Sequence, residues 1–512
     1  MRILLYTVLF FFLIAVQAQS NTEVFLVDII KSNNNNNNNN IELANLQNIS
    51  NNEAHDNQPN FFDANTVMFS STRDGQTDIR GYGINNQETS WLTDTPFENE
   101  YSPLKIPNSE AISAVHLDND GLQRLYQYDL ANGTSKVLLK EIKVGYNVWF
   151  NSTILISSVL VNDKMDLVVS NLDDNSNITV AHDVGRSIHK IPNSGLVSFI
   201  SYENNTSSIK SLDPISGNIK TIKSLPIPIK DICWLVDNIV LIPNGKKIVQ
   251  LNINDDNISV LYSFKEKEIN EISRISISPD NKHLVFVSEE SPEIIVQKQV
   301  EAYNKGNWEE FASYFSENIT VKNFPDDTLY EGNSKLKSNY KQFFSDNPKS
   351  KIKIVKRISN RNIVIDEELI TINGEEHHQS VLYKINKGEI ISMYFIRGKQ
   401  GSPKVEAIVQ KQFDTWNEKD IDNFVKTFSD DIKVYEFQNK IYVDGQKQLY
   451  DIFSELFTSS PDLHCEISNR IIIGNTVIDK EVISDKTEDS HEAIVIYEVE
   501  NGKIFRMTTL NN

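Results

Sequence analysis

Residues 57–75, NQPNFFDANTVMFSSTRDG, contain a turn built on Asp63 and Asn65, an apolar run Val67-Met68-Phe69 and a polar stop at Thr72-Arg73-Asp74-Gly75. The same grammar returns along the chain. Asn108 leads into 111–115, Asn151 into 154–156, Asn193 into 196–200, Asp237 into 239–242 and Asp280 into 284–287. These markers are spaced 42–45 residues apart, which is the sign of a repeat array. Within each period, short strand-like runs alternate with Asn, Asp and Gly turns, as in 125–130 and 136–139 across Asn132-Gly133. About four strands per 40-odd residues is one blade of a β-propeller. Six markers predict six blades. The sixth has one clear strand, 284–287, so the runs 23–27 and 41–43 are expected to complete it and close the ring.

Three motifs carry a family resemblance. Asp56-Asn57-Gln58-Pro59, the Phe-Ser-Ser-x-Arg-Asp-Gly of 69–75, and Ser278-Pro279-Asp280 with Leu284-Val285-Phe286 resemble the WD40-like repeats of TolB-type six-bladed propellers. The resemblance spans 22–290, with the middle copies degenerate. It implies a propeller that binds partners or sits beside a catalytic domain, a fold with many functions. No GxSxG nucleophile elbow follows, so the peptidase form of that pairing has no support.

After Ser291 the periodicity becomes helical, and a second duplication begins. Val296-Gln297-Lys298-Gln299 returns as Val409-Gln410-Lys411-Gln412, an offset of 113 residues. Phe311 meets Phe424, Arg357 meets Arg470, and Val364-Ile365-Asp366 meets Val477-Ile478-Asp479. After one inserted residue, Tyr383 meets Tyr497 and Gly388 meets Gly502. Each copy reads as two helices, a strand, a short helix and three long strands, with Lys399-Gln400-Gly401-Ser402-Pro403 as linker. The predicted class is therefore multi-domain: an all-β six-bladed propeller plus two α+β domains, which the resemblance below implies are cone-shaped. The expected boundaries are 1–18 for a signal peptide, 22–290 for the propeller, and 292–398 and 404–512 for the two α+β domains.

The order of elements in each copy, with Tyr-Asn-Lys-Gly-Asn-Trp or Trp-Asn-Glu-Lys-Asp-Ile after the first helix, resembles the NTF2-like superfamily, in its SnoaL-like and ketosteroid-isomerase-like branch. That resemblance implies a curved sheet wrapped around a helix, with an apolar pocket. Members include isomerases, cyclases, dehydratases and many non-catalytic proteins. In the isomerase branch an aspartate moves a proton while a tyrosine and a protonated acid stabilise the oxyanion. Carried over by position, the tyrosine falls on Gln299 and Gln412, the base on Asn323 and Glu436, and the acid near Val381 and Val495. The first copy thus lacks base and acid, and the second keeps one carboxylate. Alternation sets Glu436 in line with Ile432 and Val434, facing inward as a general base, or else as a rim carboxylate paired to His464 or Arg470. Tyr303 and Trp416 line the pocket mouth or belong to the core. His464 and Arg470 line the pocket or a polar strand face. His377-His378 point to opposite faces of a strand, so no metal is expected. No cofactor is implied.

The net charge of −20 argues against nucleic acid and anionic membranes as partners. Arg2, an apolar run over 4–16 and Val16-Gln17-Ala18 read as a secretory signal, and no later segment could span a bilayer. The product is expected in the periplasm or medium. Cys233 and Cys465 fall in different domains, so no disulfide is expected. Asn33 to Asn40 form an unbroken tract that cannot bury apolar surface. These features describe an exported binding protein, with the propeller as a platform for a protein partner and the cones holding a small apolar or carbonyl-containing molecule. The alternatives are an enzyme transferring a proton in the second cone, and a structural surface-assembly protein.

Overall fold

The computed structural model describes residues 22–510 apart from 34–38, 53, 97, 119, 204–205, 226–228, 255–256, 267, 400–403 and 486–489. The signal segment, most of the asparagine tract and all but Lys399 of the expected linker lie outside the described residues. The chain divides into two compact units, 1–263 with 272–289, and 264–271 with 290–512.

Among its described residues, the first unit holds six four-stranded antiparallel sheets. Five are meanders of consecutive strands. The other joins Thr22–Asn33 and Asn39–Asn48 to His283–Glu289 and Ile272–Ile277, so both ends of the unit share one sheet. The second strand of each meander carries a continuous buried run, as in Thr66–Arg73, Ala111–Leu117 and Val197–Ser201. Such a strand needs apolar or small residues on both faces, which is why these segments read as continuous runs rather than alternations.

Neighbouring sheets cover those faces in turn. Val285 and Val287 pack on Val67 and Phe69, and Met68 and Ile79 pack on Ile112 and Ala114. Leu125 meets Trp149, Ile156 meets Phe199, and Ile200 meets Trp234. The last sheet returns to the first where Ile239–Asn244 touches Ile272–Ile277. This is a β-propeller arrangement. Two tryptophans repeat one device: Trp149 Nε1 donates to Ser113 Oγ at 2.9 Å, and Trp234 Nε1 to Ser198 Oγ at 2.8 Å. In both cases the partner lies on the buried strand of the preceding sheet. The turn markers act locally. Asp63 and Asn151 accept backbone N–H groups two residues on, and Asn108 and Asn193 take left-handed φ of 60° and 54°.

Among its described residues, the second unit contains two six-stranded sheets of the same order. In the first, Asp327–Glu331, Phe315–Asn323, Glu389–Ile396, Glu375–Asn386, Ile363–Ile372 and Lys351–Asn360 lie side by side. Only the pair Phe315–Asn323 and Glu389–Ile396 is parallel. Helices α1 (Pro292–Lys305), α2 (Trp308–Ser313) and α3 (Asn333–Asp346) accompany this sheet; α4 (Val405–Asn417), α5 (Ile421–Val425) and α6 (Gln446–Ser459) accompany the other. Pro292 opens α1 and Gly306, at φ 72°, ends it. The hairpins at Lys387-Gly388 and Asn501-Gly502 have two positive-φ residues each, the type I′ geometry that matches strand twist.

The face of each sheet turned away from its helices is also apolar. Ile363, Ile365, Leu382 and Ile396 of one copy form a single core with Ile471, Ile478, Ile494 and Ile496 of the other. Asn469 Nδ2 donates to the Arg357 carbonyl at 3.0 Å, and Asn360 Nδ2 to the Glu492 carbonyl at 3.0 Å, across the same seam. The two copies should therefore behave as one stability unit. Leu382→Ala should cost about 2–5 kcal/mol. It should also speed amide exchange in the opposite sheet, at Thr476–Ser484, and not only around residue 382. Hydrogen exchange read by mass spectrometry checks this, and acceleration confined to the first copy would refute the shared core.

Candidate functional site

Alternation along Ile363–Ile372 puts Val364, Asp366, Glu368 and Ile370 on the helix-covered face. Asp366 is held by Arg357 through two parallel bonds of 2.7 Å, and Arg470 holds Asp479 identically in the second copy. This planar fork neutralises one buried carboxylate in each copy. The second carboxyl, two residues on, has no such cation.

Glu368 is 1% exposed. It borders a cavity of about 350 Å³ inside the first copy. Tyr383 donates its hydroxyl to Glu368 Oε1 at 3.0 Å, and Gln379 Nε2 donates to Oε2 at 2.9 Å. Gln299 Nε2 in turn donates to the Tyr383 oxygen at 3.2 Å. Tyr303, Tyr340 and Tyr330 line the wall with Ile370, Val381, Met393 and Phe395. Burial pushes the Glu368 carboxyl up to about 7, the Asp366 charge adds to the rise, and the Gln379 and Tyr383 hydrogen bonds restrain it. Burial also pushes the Tyr303 hydroxyl up to about 12. A carboxyl that titrates near neutrality in an apolar cavity can donate a hydrogen bond to a ligand or accept a proton from one.

The second copy repeats the pair with different surroundings. Tyr497 donates to Glu481 Oε1 at 2.7 Å, and burial pushes Glu481 up to about 7. The Cys465 thiol approaches Oε2 at 3.7 Å. Ala493 stands opposite Glu481 in the register where Gln379 stands opposite Glu368. Ile452 and Phe453 occupy the positions of Asn339 and Tyr340, making this interior more apolar.

The residues expected from sequence are distributed unevenly. Gln299 and Tyr303 border the cavity. Gln412 and Trp416 are buried in the second copy, where Trp416 meets Phe457 edge-on at 6.0 Å. Asn323 ends its strand beside Phe395 and donates to Asp327 at 3.0 Å, and is not itself among the cavity-lining residues. Glu436 is not an inward base. Its side chain is 50% exposed and pairs with Lys440 at 2.7 Å. It is the last residue of Phe428–Glu436, beyond a register shift at Val434/Tyr435, so alternation no longer fixes its face. His464 is exposed at the start of its strand, and Arg470 is committed to Asp479, so neither pairs with Glu436. The expectation that the first copy lacks an acid is also corrected, because Glu368 supplies one from a different strand.

Glu368 titrates at about 7 when folded, against an ordinary 4.5. The folded chain therefore holds a proton that the unfolded chain has lost between those values. Stability falls as pH rises from 4.5 towards 7, and the loss is complete above 7. The magnitude is about 3 kcal/mol. Glu368→Gln should remove this component, leaving the variant more stable than the parent at pH 8 and similar at pH 4. Urea denaturation across that range measures it; parallel profiles would mean that Glu368 is not held protonated.

Residues 409–507 match the SnoaL-like domain family. No curated protein matches the chain significantly. Among solved structures, TolB from Acinetobacter baumannii is 10% identical, covering 52% of this chain and 64% of its own, with a TM-score of 0.36. A TolB candidate from Agrobacterium tumefaciens is 11% identical, covering 53% and 99%, with a TM-score of 0.42. An NTF2-like protein of unknown function from Cytophaga hutchinsonii is 25% identical, covering 20% and 88%, with a TM-score of 0.18. At these scores the architecture rests on strand order, and the second copy carries a SnoaL-like domain.

Proposed function

We propose that this chain is an exported binding protein, in which six blades form one propeller and two tandem NTF2-like cones share a sheet-to-sheet core. Its first cone takes a small, largely apolar molecule bearing one hydroxyl or carbonyl group. The observation that carries this reading is the cavity of about 350 Å³ containing the buried Glu368–Tyr383 pair. That volume is in the ordinary range for ligand sites, and a mostly apolar wall with a few convergent polar groups is their usual chemistry. The identical strand order of the two sheets supports the tandem assignment. The leader-like segment at 1–18 supports export, and among the described residues no helix is long and apolar enough to cross a membrane.

A second reading, proton transfer next to a carbonyl, is favoured by the Glu368 carboxyl at about 7. It moves the enzymatic alternative from Glu436 to Glu368. Under it, Glu368→Gln would abolish turnover and spare binding.

Val381 is 1% exposed and borders the cavity. Val381→Phe should fill the space and weaken ligand binding by at least ~10-fold, while Val495→Phe, at the matching place in the second cone, should leave it intact. Native mass spectrometry of the full chain with small apolar alcohols and ketones reads this directly. Undiminished binding to Val381→Phe would place the ligand elsewhere.

A further inference from the structure

The first strand of each propeller sheet has a break in its pairing register: at Asn57/Asn60, Tyr101/Leu104, Val144/Tyr146, Val184/Ile188 and Trp234/Val236, and at Ile272/Arg274 in the shared sheet. A bulge re-aims the side chains around it. Here these strands, with Asp231 just ahead of Cys233–Val236, border one cavity of about 90 Å³. The space suits a few heavy atoms, since one water needs ~10–15 Å³ on this measure.

The lining charges do not balance. Arg186 and Arg274 both approach the single carboxylate of Asp231, at 3.7 and 3.5 Å. His189 stands 4.0 Å from the same carboxylate, and burial lowers its pKa, so it enters uncharged. Two guanidinium cations against one carboxylate leave one positive charge uncompensated. Arg274 is only 13% exposed and rests over the Tyr146 ring at 4.8 Å. Its Nη2 donates to the Tyr146 hydroxyl at 3.1 Å, while Arg186 Nη2 donates to the Ser273 carbonyl. The Nε groups of both arginines are buried without hydrogen bonds.

A second observation is independent of charge. Asn147 borders the cavity, is 8% exposed, and has no hydrogen-bond partner on either side-chain atom. Ser102 Oγ, also on the wall, is likewise unpartnered. Buried polar atoms are normally satisfied, and such a cluster beside an excess cation is the complement of a ligand with several acceptor oxygens.

We propose that this cavity is a binding site for a compact oxyanion, a carboxylate or phosphate group, held by Arg186 and Arg274 and oriented by the Asn147 amide. The anion neutralises the surplus charge, accepts from the guanidinium forks and takes the Asn147 N–H donors. Asp231 sets the two guanidiniums and limits the site to one net negative charge or little more. The overall charge of −20 gives no general attraction for anions, so binding here is a property of this cavity.

Calorimetric titration of the full chain with acetate, inorganic phosphate and chloride, at fixed ionic strength, tests the proposal. Saturable binding of acetate or phosphate, at least ~10-fold tighter than chloride, is expected. Arg274→Gln should abolish it, and Asn147→Ala should weaken it several-fold with the charge unchanged. Preference for acetate identifies a carboxylate ligand, and preference for phosphate a phosphoryl one. If Arg274→Gln fails to fold by circular dichroism, Asn147→Ala decides. No preference over chloride in the parent, or full binding by Asn147→Ala, overturns the assignment.

Discussion

Covering one face of a β-sheet leaves the other to be dealt with, and in both units of this chain the second face is covered as well. In the propeller unit each sheet lies between two others, so the second strand of each meander carries a buried run, with small residues such as Ser113 and Ser198 where tryptophans reach across. In the cone unit the helices cover one face and the opposite copy covers the other. Each large aliphatic side chain removed from water contributes roughly 1.5–3 kcal/mol, so Leu382, Ile365, Ile478 and Ile496 make a seam that neither copy can forgo. The isoleucine-rich text of Ile363–Ile372 and Thr476–Ser484 follows from having two cores to serve.

That constraint also explains what could be read in advance. The propeller was legible because continuous apolar runs recur behind Asp or Asn turns, and turn chemistry is local. The sharing of one sheet by 22–33 and 283–289 followed from counting strands. The duplication of the cones was legible because the two copies still serve identical seams and identical forks, Arg357–Asp366 and Arg470–Asp479. The register shifts in the innermost strands were not legible. A bulge adds one residue to a strand without altering its composition, and it is those shifts that gather Asn147, Arg186 and Arg274 around one cavity.

The cone site was half legible. Gln299 came from the position carried over by the family resemblance, and Tyr303 from its matching place on the first helix as pocket mouth or core; both border the cavity. Glu436 failed because alternation is least informative at a strand end beside an irregular hairpin. Glu368 was hidden in Asp366-Glu367-Glu368, which looks like a solvated acidic run. The available signal was its flanks. Val364 and Ile370 share its face, and Val477, Asp479, Glu481 and Ile483 repeat the pattern at the same offset. Tyr383 and Tyr497 each lie on the adjacent strand, a few residues along from the residue paired with the carboxyl, visible as a repeated pair but not as partners of a carboxyl until the strands are laid side by side.

The two cavities differ in how they can respond to burial. A buried carboxyl can shed its charge by binding a proton, and Glu368 and Glu481 do so near neutral pH. Neither carboxyl therefore needs a counter-ion, and in the first-copy cavity the neutral acid can serve as a donor for the uncharged ligand proposed there. A guanidinium has no such escape, because it keeps its proton throughout the accessible range. Arg186 and Arg274, crowded around one carboxylate, can be compensated only by hydrogen-bond acceptors and negative charge brought to them. Chemistry alone thus separates the two proposed ligands: an uncharged molecule with one polar group suits the cone, and an anion with several oxygens suits the propeller. Occupancy of the two sites should accordingly depend on pH in different ways. Under the proposed function, cone binding through a donating Glu368 should weaken as pH rises through about 7, while the proposed arginine site should keep its charge across the same range.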